Sequence, residues 1–142
     1  MSIIYVISLS LLFSLPYAEF VSQEFSLEVK IVGFKPSKGI LRVCLFNSEN
    51  TFFNNAMACE VKETSSNEQS ITLRFSKKIP AGKYAIAVYQ DINKNGILDR
   101  NWLGIPSEPY GFSNNPSTIF GPPSFHKAAF KMKDNLTITI KL

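Results

Sequence analysis

The feature that most constrains the fold of this chain is the alternation of apolar and polar residues over short segments. In "EFSLEVKIVG" (residues 24–33) every second side chain is apolar, and "LTITIKL" (residues 136–142) repeats the pattern. A period of two places the apolar side chains on one face of a β-strand, whereas an amphipathic helix needs a period of about 3.6 residues. Since no segment shows a sustained helical period, the sequence predicts an all-β protein.

Turn residues divide the middle of the chain into further short strands. "ILRVCLF" (residues 40–46) is apolar on both faces apart from Arg42, which is typical of a central strand. "AMACEVKE" and "SITLRFSKK" predict two further strands, and "IPAGKYAIAVYQ" predicts a turn, marked by Pro80 and Gly82, that is followed by a strand. About seven such strands predict a single antiparallel β-sandwich, transthyretin-like or immunoglobulin-like, over residues 24–142.

The C-terminal part contains a predicted hairpin preceded by a long loop. "HKAAFKMK" and "LTITIKL" flank Asp134-Asn135, a pattern that predicts two paired strands with His126 at the start of the first. The segment from Asp91 to about Phe125 has no sustained period, and a loop of about 35 residues is much longer than compact domains normally use. Because it is rich in aromatic residues, we expect it to be ordered and to pack across one end of the sandwich.

The first residues, "MSIIYVISLSLLFSLPYA", resemble an export signal. They carry no charged side chain, and the apolar run from Ile3 to Leu15 is too short to span a bilayer comfortably. Pro16 ends the run, and cleavage is expected after Ala18 or Ser22. An uncleaved N-terminal anchor is the alternative. The expected location is therefore periplasmic or secreted, with no transmembrane span in the mature form.

The charge pattern argues against a nucleic-acid partner. The formal net charge is +4, but the basic residues are scattered and the longest basic run is Lys77-Lys78. Nucleic-acid binding normally needs a basic stripe or tail. We therefore expect no nucleic acid among the partners.

Two cysteines, Cys44 and Cys59, lie in neighbouring predicted strands. In an oxidising compartment a disulfide between them can persist. Two buried free thiols acting as small apolar side chains are the alternative. A cysteine zinc site is not expected from two cysteines and one histidine.

"DINKNGILD" (residues 91–99) has the alternation of a calcium-binding loop. Calcium takes several oxygen ligands from one flexible loop, and a glycine allows the sharp bend between them. The candidate ligands are the side chains of Asp91, Asn93, Asn95 and Asp99 and the backbone carbonyl of Ile97. This matches the first nine positions of the helix-loop-helix calcium motif.

The twelfth position of that motif requires a glutamate, and this chain has Trp102 there. We hypothesise that Glu108 supplies the missing carboxylate, and we expect weak affinity, with a dissociation constant of about 10⁻⁴–10⁻³ M. The alternative is a hydrogen-bonded turn. "KNGI" favours a tight hairpin turn, and Asp91 and Asp99 can cap backbone amides without a metal.

Three segments resemble the bacterial family known as domain of unknown function 2141: "GILRVCLFNSENTF", "IPAGKYAIAVYQDINKNGILDRNWLGIPSEPYGFSNN" and "FGPPSFHKAAF". The resemblance implies an exported protein with a single β-domain and no established activity. In the family pattern a histidine commonly precedes the aspartate of the metal-like loop. Here Gln90 occupies that position, so a role that needs an imidazole is not carried over.

Two classes of function remain open on the sequence. One is a calcium-stabilised binding or structural module for an extracellular glycan or surface protein, with Trp102, Tyr110 and Phe112 as contact residues. The other is a small hydrolase that uses Asp99 and Glu108 as a carboxylate pair. An open aromatic surface favours binding, whereas a deep pocket that holds both carboxylates favours catalysis. "GPPSF" lacks the pattern of a nucleophile elbow, so the binding module is preferred.

Overall fold

The computed structural model describes residues 22–36, 38–65 and 67–142. The predicted export signal, residues 1–18, lies outside the described residues. The elements are β1 (Glu24–Phe25), β2 (Leu27–Val32), β3 (Ile40–Phe46), β4 (Ala58–Glu63), β5 (Ser70–Arg74), β6 (Ile79–Pro80), β7 (Gly82–Asp91), β8 (Tyr110–Phe112), α1 (Phe125–Ala128), β9 (Phe130–Met132) and β10 (Leu136–Lys141). Within these ranges, no helix has the length and apolar character needed to cross a bilayer.

The strands form two sheets and a short ribbon, which confirms the predicted all-β sandwich. One sheet has the order β10-β2-β5, and the other has the order β4-β3-β7-β8 with β9 also paired to β7. The ribbon consists of β1 and β6. β3 lies between β4 and β7, as its two apolar faces predicted.

The core lies between the two sheets and follows the period-two pattern. In β2 and β3 the alternate apolar residues are fully buried, and β7 contributes Tyr84, Ile86 and Val88 from its inner face. Burying one such aliphatic side chain contributes about 1.5–3 kcal/mol to stability. The opposite face of β3 and β7 is therefore not part of this core and can form a separate surface.

The predicted C-terminal hairpin is wrong. β9 pairs with β7 in antiparallel orientation, whereas β10 runs parallel to β2 with Leu136 opposite Leu27. The turn between them carries the chain from one sheet to the other instead of reversing it within a sheet. Asn135 contributes to this crossing, because its Oδ1 accepts a hydrogen bond from the Ser26 amide at 2.8 Å.

His126 begins no strand, contrary to the prediction, and lies instead in the single-turn helix α1. The helix forms because Phe125 and Ala128, three residues apart, both face inward and are buried. His126 points outward, with its Nε2 atom 3.5 Å from a carboxylate oxygen of Glu49.

The long segment after β7 is not a loop throughout, and it does not pack across one end of the sandwich. β8 lies within it and pairs with β7, with Ala87 opposite Phe112. β9 covers only residues 82–84 of the same edge of β7, so the rest of that edge is available for β8. Ser113 fills the gap between β8 and β9, since its Oγ accepts a hydrogen bond from the Ile86 amide at 2.9 Å. The segment consequently lies over the outer face of the larger sheet.

Candidate functional site

A groove runs over the outer face of the larger sheet. Because Leu41, Val43 and Leu45 of β3 point into the core, Cys44 and Phe46 point the other way. Ala87 lies beside Cys44 on one side and Phe112 on the other. An alanine at the centre of the floor leaves open space that a larger side chain would fill.

The groove has a volume of about 640 Å³ and an apolar lining. This is within the range of about 300–1,000 Å³ typical of small-molecule sites. Its lining residues are Cys44, Phe46, Phe53, Asn54, Ala56, Ala87, Val88, Tyr89, Ile97, Leu98, Arg100, Gly104, Ile105, Pro106, Tyr110, Phe112, Thr118, Ile119, Gly121 and Pro122. The predicted contact residues Tyr110 and Phe112 are therefore part of the lining.

One end of the groove is made of packed phenylalanines. The rings of Phe52 and Phe53 are stacked with centroids 3.8 Å apart, and Phe46 meets Phe52 edge-on at 5.3 Å. Phe53 also contacts Phe112 edge-on at 5.7 Å. Phe52 is buried while Phe53 is half exposed, so Phe53 presents an aromatic surface to the groove.

Cys44 lies at the floor of the groove, and Cys59 lies beside it on the edge strand. Cys44 and Cys59 are directly opposite each other on β3 and β4, with their Cα atoms 4.2 Å apart, and their Sγ atoms are bonded. Of the two alternatives, the structure has the disulfide and no free thiol among the described residues. The bridge ties the edge strand β4 to the central strand under the groove.

One wall of the groove is a tight turn between Arg100 and Pro106, which form an isolated antiparallel bridge. Asn101 organises the turn, because its Oδ1 accepts hydrogen bonds from the amides of Leu103 and Ile105 at 3.0 Å each. Gly104 has a φ of 78°, a conformation that glycine adopts without steric cost. These local bonds give the wall a defined shape.

The rim of the groove consists of exposed apolar residues that line it, namely Ile97, Ile105 and Ile119, or that lie close to lining residues in the sequence. The predicted contact residue Trp102 belongs to the second kind and is not part of the lining, and the same holds for Leu103 and Phe120. Trp102 is 91% exposed and Phe120 is 101% exposed. Ile97, Leu103, Ile105 and Ile119 are also exposed. Trp102 and Phe120 thus do not pin the long segment to the core. A cluster of exposed apolar residues around a cleft is typical of an interaction site.

Asp91 anchors the polar loop that follows β7. Its side chain is fully buried, and its Oδ2 accepts hydrogen bonds from Arg42 Nε at 2.9 Å and from the Gly96 amide at 2.8 Å. Its Oδ1 accepts from the Asn95 amide at 3.0 Å. Burial raises the pKa of this carboxyl, but these hydrogen bonds outweigh burial and hold the pKa below its ordinary value.

Glu108 closes the same loop from the other side. It is buried, and its two oxygens accept hydrogen bonds from the amides of Ile92 at 2.7 Å and Asp99 at 3.0 Å. The segment does fold back to bring Glu108 to the loop. Both of its oxygens, however, accept from backbone amides at the two ends of the loop.

Asp99 accepts hydrogen bonds from two side-chain amides of the loop. Asn93 Nδ2 lies 2.6 Å from its Oδ2, and Asn95 Nδ2 lies 2.9 Å from its Oδ1. The oxygens of the same two asparagines accept from the amides of Asn95 and Ile97 at 3.1 and 3.0 Å. Each of these bonds is expected of the hydrogen-bonded turn.

The backbone of the turn differs from the tight hairpin that "KNGI" favours. The residues with positive φ are Lys94, at 61°, and Gly96, at 88°, rather than the Asn-Gly pair. Among the described residues, no group of three or more His, Cys, Asp or Glu side chains is placed to hold a metal ion. The structure nevertheless brings four of the predicted ligand side chains, those of Asp91, Asn93, Asn95 and Asp99, into one loop.

Sequence reasoning missed two polar side chains: Arg42, which fixes the polar loop to the sheet, and Gln90, which ties Lys35 and Lys38 to β7. Arg42, the one charged residue of β3, forms the ion pair with Asp91. Gln90 is fully buried, and its amide donates to the carbonyls of Lys35 and Lys38 at 2.6 Å each while accepting from the Lys35 amide at 2.9 Å. A charged residue in an otherwise apolar central strand was the available signal for Arg42.

Comparison with known proteins gives a family match. No curated protein and no solved structure matches the chain. Residues 29–139 match the family described as "Uncharacterized protein conserved in bacteria (DUF2141)". This range contains the whole of the larger sheet, most of the smaller one, the groove and the polar loop. The chain therefore belongs to the DUF2141 family of uncharacterized bacterial proteins.

Proposed function

We propose that this protein is an exported binding module and that the groove on the larger sheet is its ligand site. The observation that carries the proposal is the combination of an apolar cleft of about 640 Å³ with a rim of exposed apolar side chains. Exposed apolar surface is unfavourable in water, and a ligand that covers it recovers that free energy.

The ligand that fits this lining is predominantly apolar. The floor is formed by a disulfide sulfur, an alanine and aromatic rings, with few polar groups. A glycan needs several hydrogen-bonding groups in its site, because its own hydroxyls lose water on binding. Of the partners expected from the sequence, a glycan therefore agrees poorly with the lining, which favours an apolar ligand.

The positions of the carboxylates favour binding over hydrolysis. Asp99 and Glu108 are not among the lining residues of the groove. Their oxygens accept hydrogen bonds from amides of the polar loop. A general acid or nucleophile must reach the substrate, and these two groups instead support the wall on which Ile97 and Leu98 meet the groove.

Export is supported by the cysteine chemistry. A disulfide persists in an oxidising compartment such as the periplasm or the cell exterior. The bridge between Cys44 and Cys59 is in accord with the signal-like N-terminus, and both favour a periplasmic or secreted protein.

Calcium stabilisation of the polar loop is the second part of the proposal. The oxygens of Asp91, Asn93, Asn95 and Asp99 each accept one or two hydrogen bonds, and an oxygen that accepts one retains a lone pair for a cation. Glu108 is better assigned to holding the two loop ends than to binding the ion. Arg42 neutralises part of the charge at Asp91, so weak calcium affinity is expected.

The experiment that tests the binding function fills the groove. We expect N-phenyl-1-naphthylamine, a neutral apolar dye, to bind the wild-type protein saturably with increased fluorescence. Ala87→Phe places a ring on the floor and should abolish binding. Ala81→Phe is the matched control, because Ala81 is exposed and does not line the groove. If a folded Ala87→Phe variant bound the dye as tightly as the wild-type protein does, the groove would not be the binding site.

A further inference from the structure

We infer that the ligand of the groove is an amphiphile, an apolar chain that ends in an anionic head group bound by Arg100. This inference rests on the proposed function of the groove and names the chemical class of its ligand.

Arg100 is placed on the wall of the groove by its own turn. Its backbone pairs with Pro106, and its Nη1 donates a hydrogen bond to the Gly104 carbonyl at 2.9 Å. That bond uses one of the five N–H groups of the guanidinium. The side chain is exposed and lines the groove, so the remaining donors are available to a ligand.

Within the described ranges of the chain, no acidic side chain forms an ion pair with Arg100. Among the described residues, the cationic side chains that form ion pairs are Arg42, Arg74, Lys94 and His126. The nearest acidic residue in the chain, Asp99, accepts hydrogen bonds from asparagine amides instead. Arg100 is thus a fixed cation that can pair with a ligand.

The rest of the groove lining is uncharged and mostly apolar. Among the described residues that line it, Arg100 is the one charged side chain, and no acidic side chain is present. The other polar lining groups are the neutral side chains of Asn54, Tyr89, Tyr110 and Thr118, and the Tyr89 hydroxyl donates to the Gly96 carbonyl at 2.8 Å. An apolar lining with a single cation selects a hydrocarbon body with one anionic group, because guanidinium pairs strongly with carboxylate and phosphate.

Two head groups share this chemistry, the carboxylate of a free fatty acid and the phosphate of a lipid. The test is displacement of N-phenyl-1-naphthylamine by three ligands with the same twelve-carbon chain, used below their micelle concentrations. Dodecanoate and dodecyl phosphate carry the anion, and dodecanol is the neutral control. We expect the wild-type protein to bind at least one anionic ligand about tenfold more tightly than dodecanol. The tighter of the two anions identifies the head group.

Arg100→Gln should reduce the preference for the anionic ligand over dodecanol to about twofold or less, without changing the affinity for dodecanol. Arg74→Gln, a substitution on the other sheet, should retain the full preference. The wild-type comparison needs no variant, so a misfolded Arg100→Gln protein leaves it intact. Equal affinity of the wild-type protein for all three ligands would overturn the inference while leaving the binding function in place. Failure of the dye to bind at all would remove the proposed function itself.

Discussion

The ion pair between Arg42 and Asp91 should be the main support of the polar loop, and Asp91→Asn tests it. The substitution keeps the shape of the side chain but replaces one acceptor oxygen with an NH₂ group. That group would face Arg42 Nε, or the amides of Gly96 or Asn95, which are all donors. Asp91 is fully buried but Arg42 is 27% exposed, so changing Asp91 should cost about 3 kcal/mol, the lower end of the range for buried ion pairs. Since domains of this size have a total stability of about 5–15 kcal/mol, the loss should be large.

Urea denaturation followed by far-UV circular dichroism, with a chelator present, measures this loss. With a urea m-value of about 1–3 kcal/mol/M, a loss of about 3 kcal/mol should lower the midpoint by roughly 1–3 M. Glu63→Gln is the control, because the Lys94–Glu63 pair has a similar distance of 2.8 Å but both side chains are exposed. Because solvent screens this exposed pair, Glu63→Gln should change the stability much less than Asp91→Asn does. A loss below about 1 kcal/mol for Asp91→Asn would refute the argument that this pair supports the loop.

Four further predictions follow from the same structure. The folded-state pKa of Asp91 lies below its ordinary value of 3.8. Its contribution to stability should therefore be complete above about pH 5 and be lost as the pH falls through the folded pKa. The free energies of unfolding of wild type and Asp91→Asn, measured as a function of pH, should converge at low pH. Reduction of the bridge, which spans a sequence separation of 15, should cost about 3 kcal/mol, and denatured, unreduced protein should show no free thiol on titration. After exhaustive chelation, 10 mM calcium should raise the melting temperature by about 5–10 °C if the dissociation constant is about 0.3 mM. Magnesium should raise it much less. An unchanged melting temperature would mean that the loop is a hydrogen-bonded turn without a calcium site. Gln90→Met removes three partly buried hydrogen bonds and should lower the free energy of unfolding by about 2–4 kcal/mol. An unaltered free energy of unfolding would mean that these bonds make no net contribution to stability.

The period-two pattern predicted much of the fold because it reports which side chains share a face of a strand. It identified the buried positions of β2 and the central place of β3. It does not report which strand lies beside which, since neighbours are chosen by sheet packing and turn geometry. For this reason the pairing of Leu136 with Leu27 in a parallel ladder could not be read from the alternating C-terminal residues.

The residues of the polar loop were identified from their spacing, and the structure brings them together. Asp91 and Glu108 do meet the same loop, although 17 positions separate them in the sequence. Their hydrogen-bond partners were not predictable, because backbone amides carry no sequence signal. Arg42 was visible only as an isolated charge in a strand, and its partner depends on the register of β3 against β7.

The groove could not be predicted from the sequence. It exists because the outer face of the larger sheet carries Ala87 between larger neighbours and because two turns rise beside that face. Tyr110 and Phe112 were expected to contact a partner, but their role as floor of a cleft depends on the pairing of β8 with β7. The exposure of Trp102 and Phe120 likewise depends on turn geometry rather than on their apolar character.

The most direct test of the groove as a ligand site is an amide chemical-shift titration of the ¹⁵N-labelled protein with dodecanoate. Binding in the groove should shift the amides of residues 85–89, 97–106 and 110–122 in a saturable manner and leave β2, β5 and β10 nearly unchanged. Shifts that concentrate on those three strands, or spectra that do not change at any ligand concentration below micelle formation, would contradict the account.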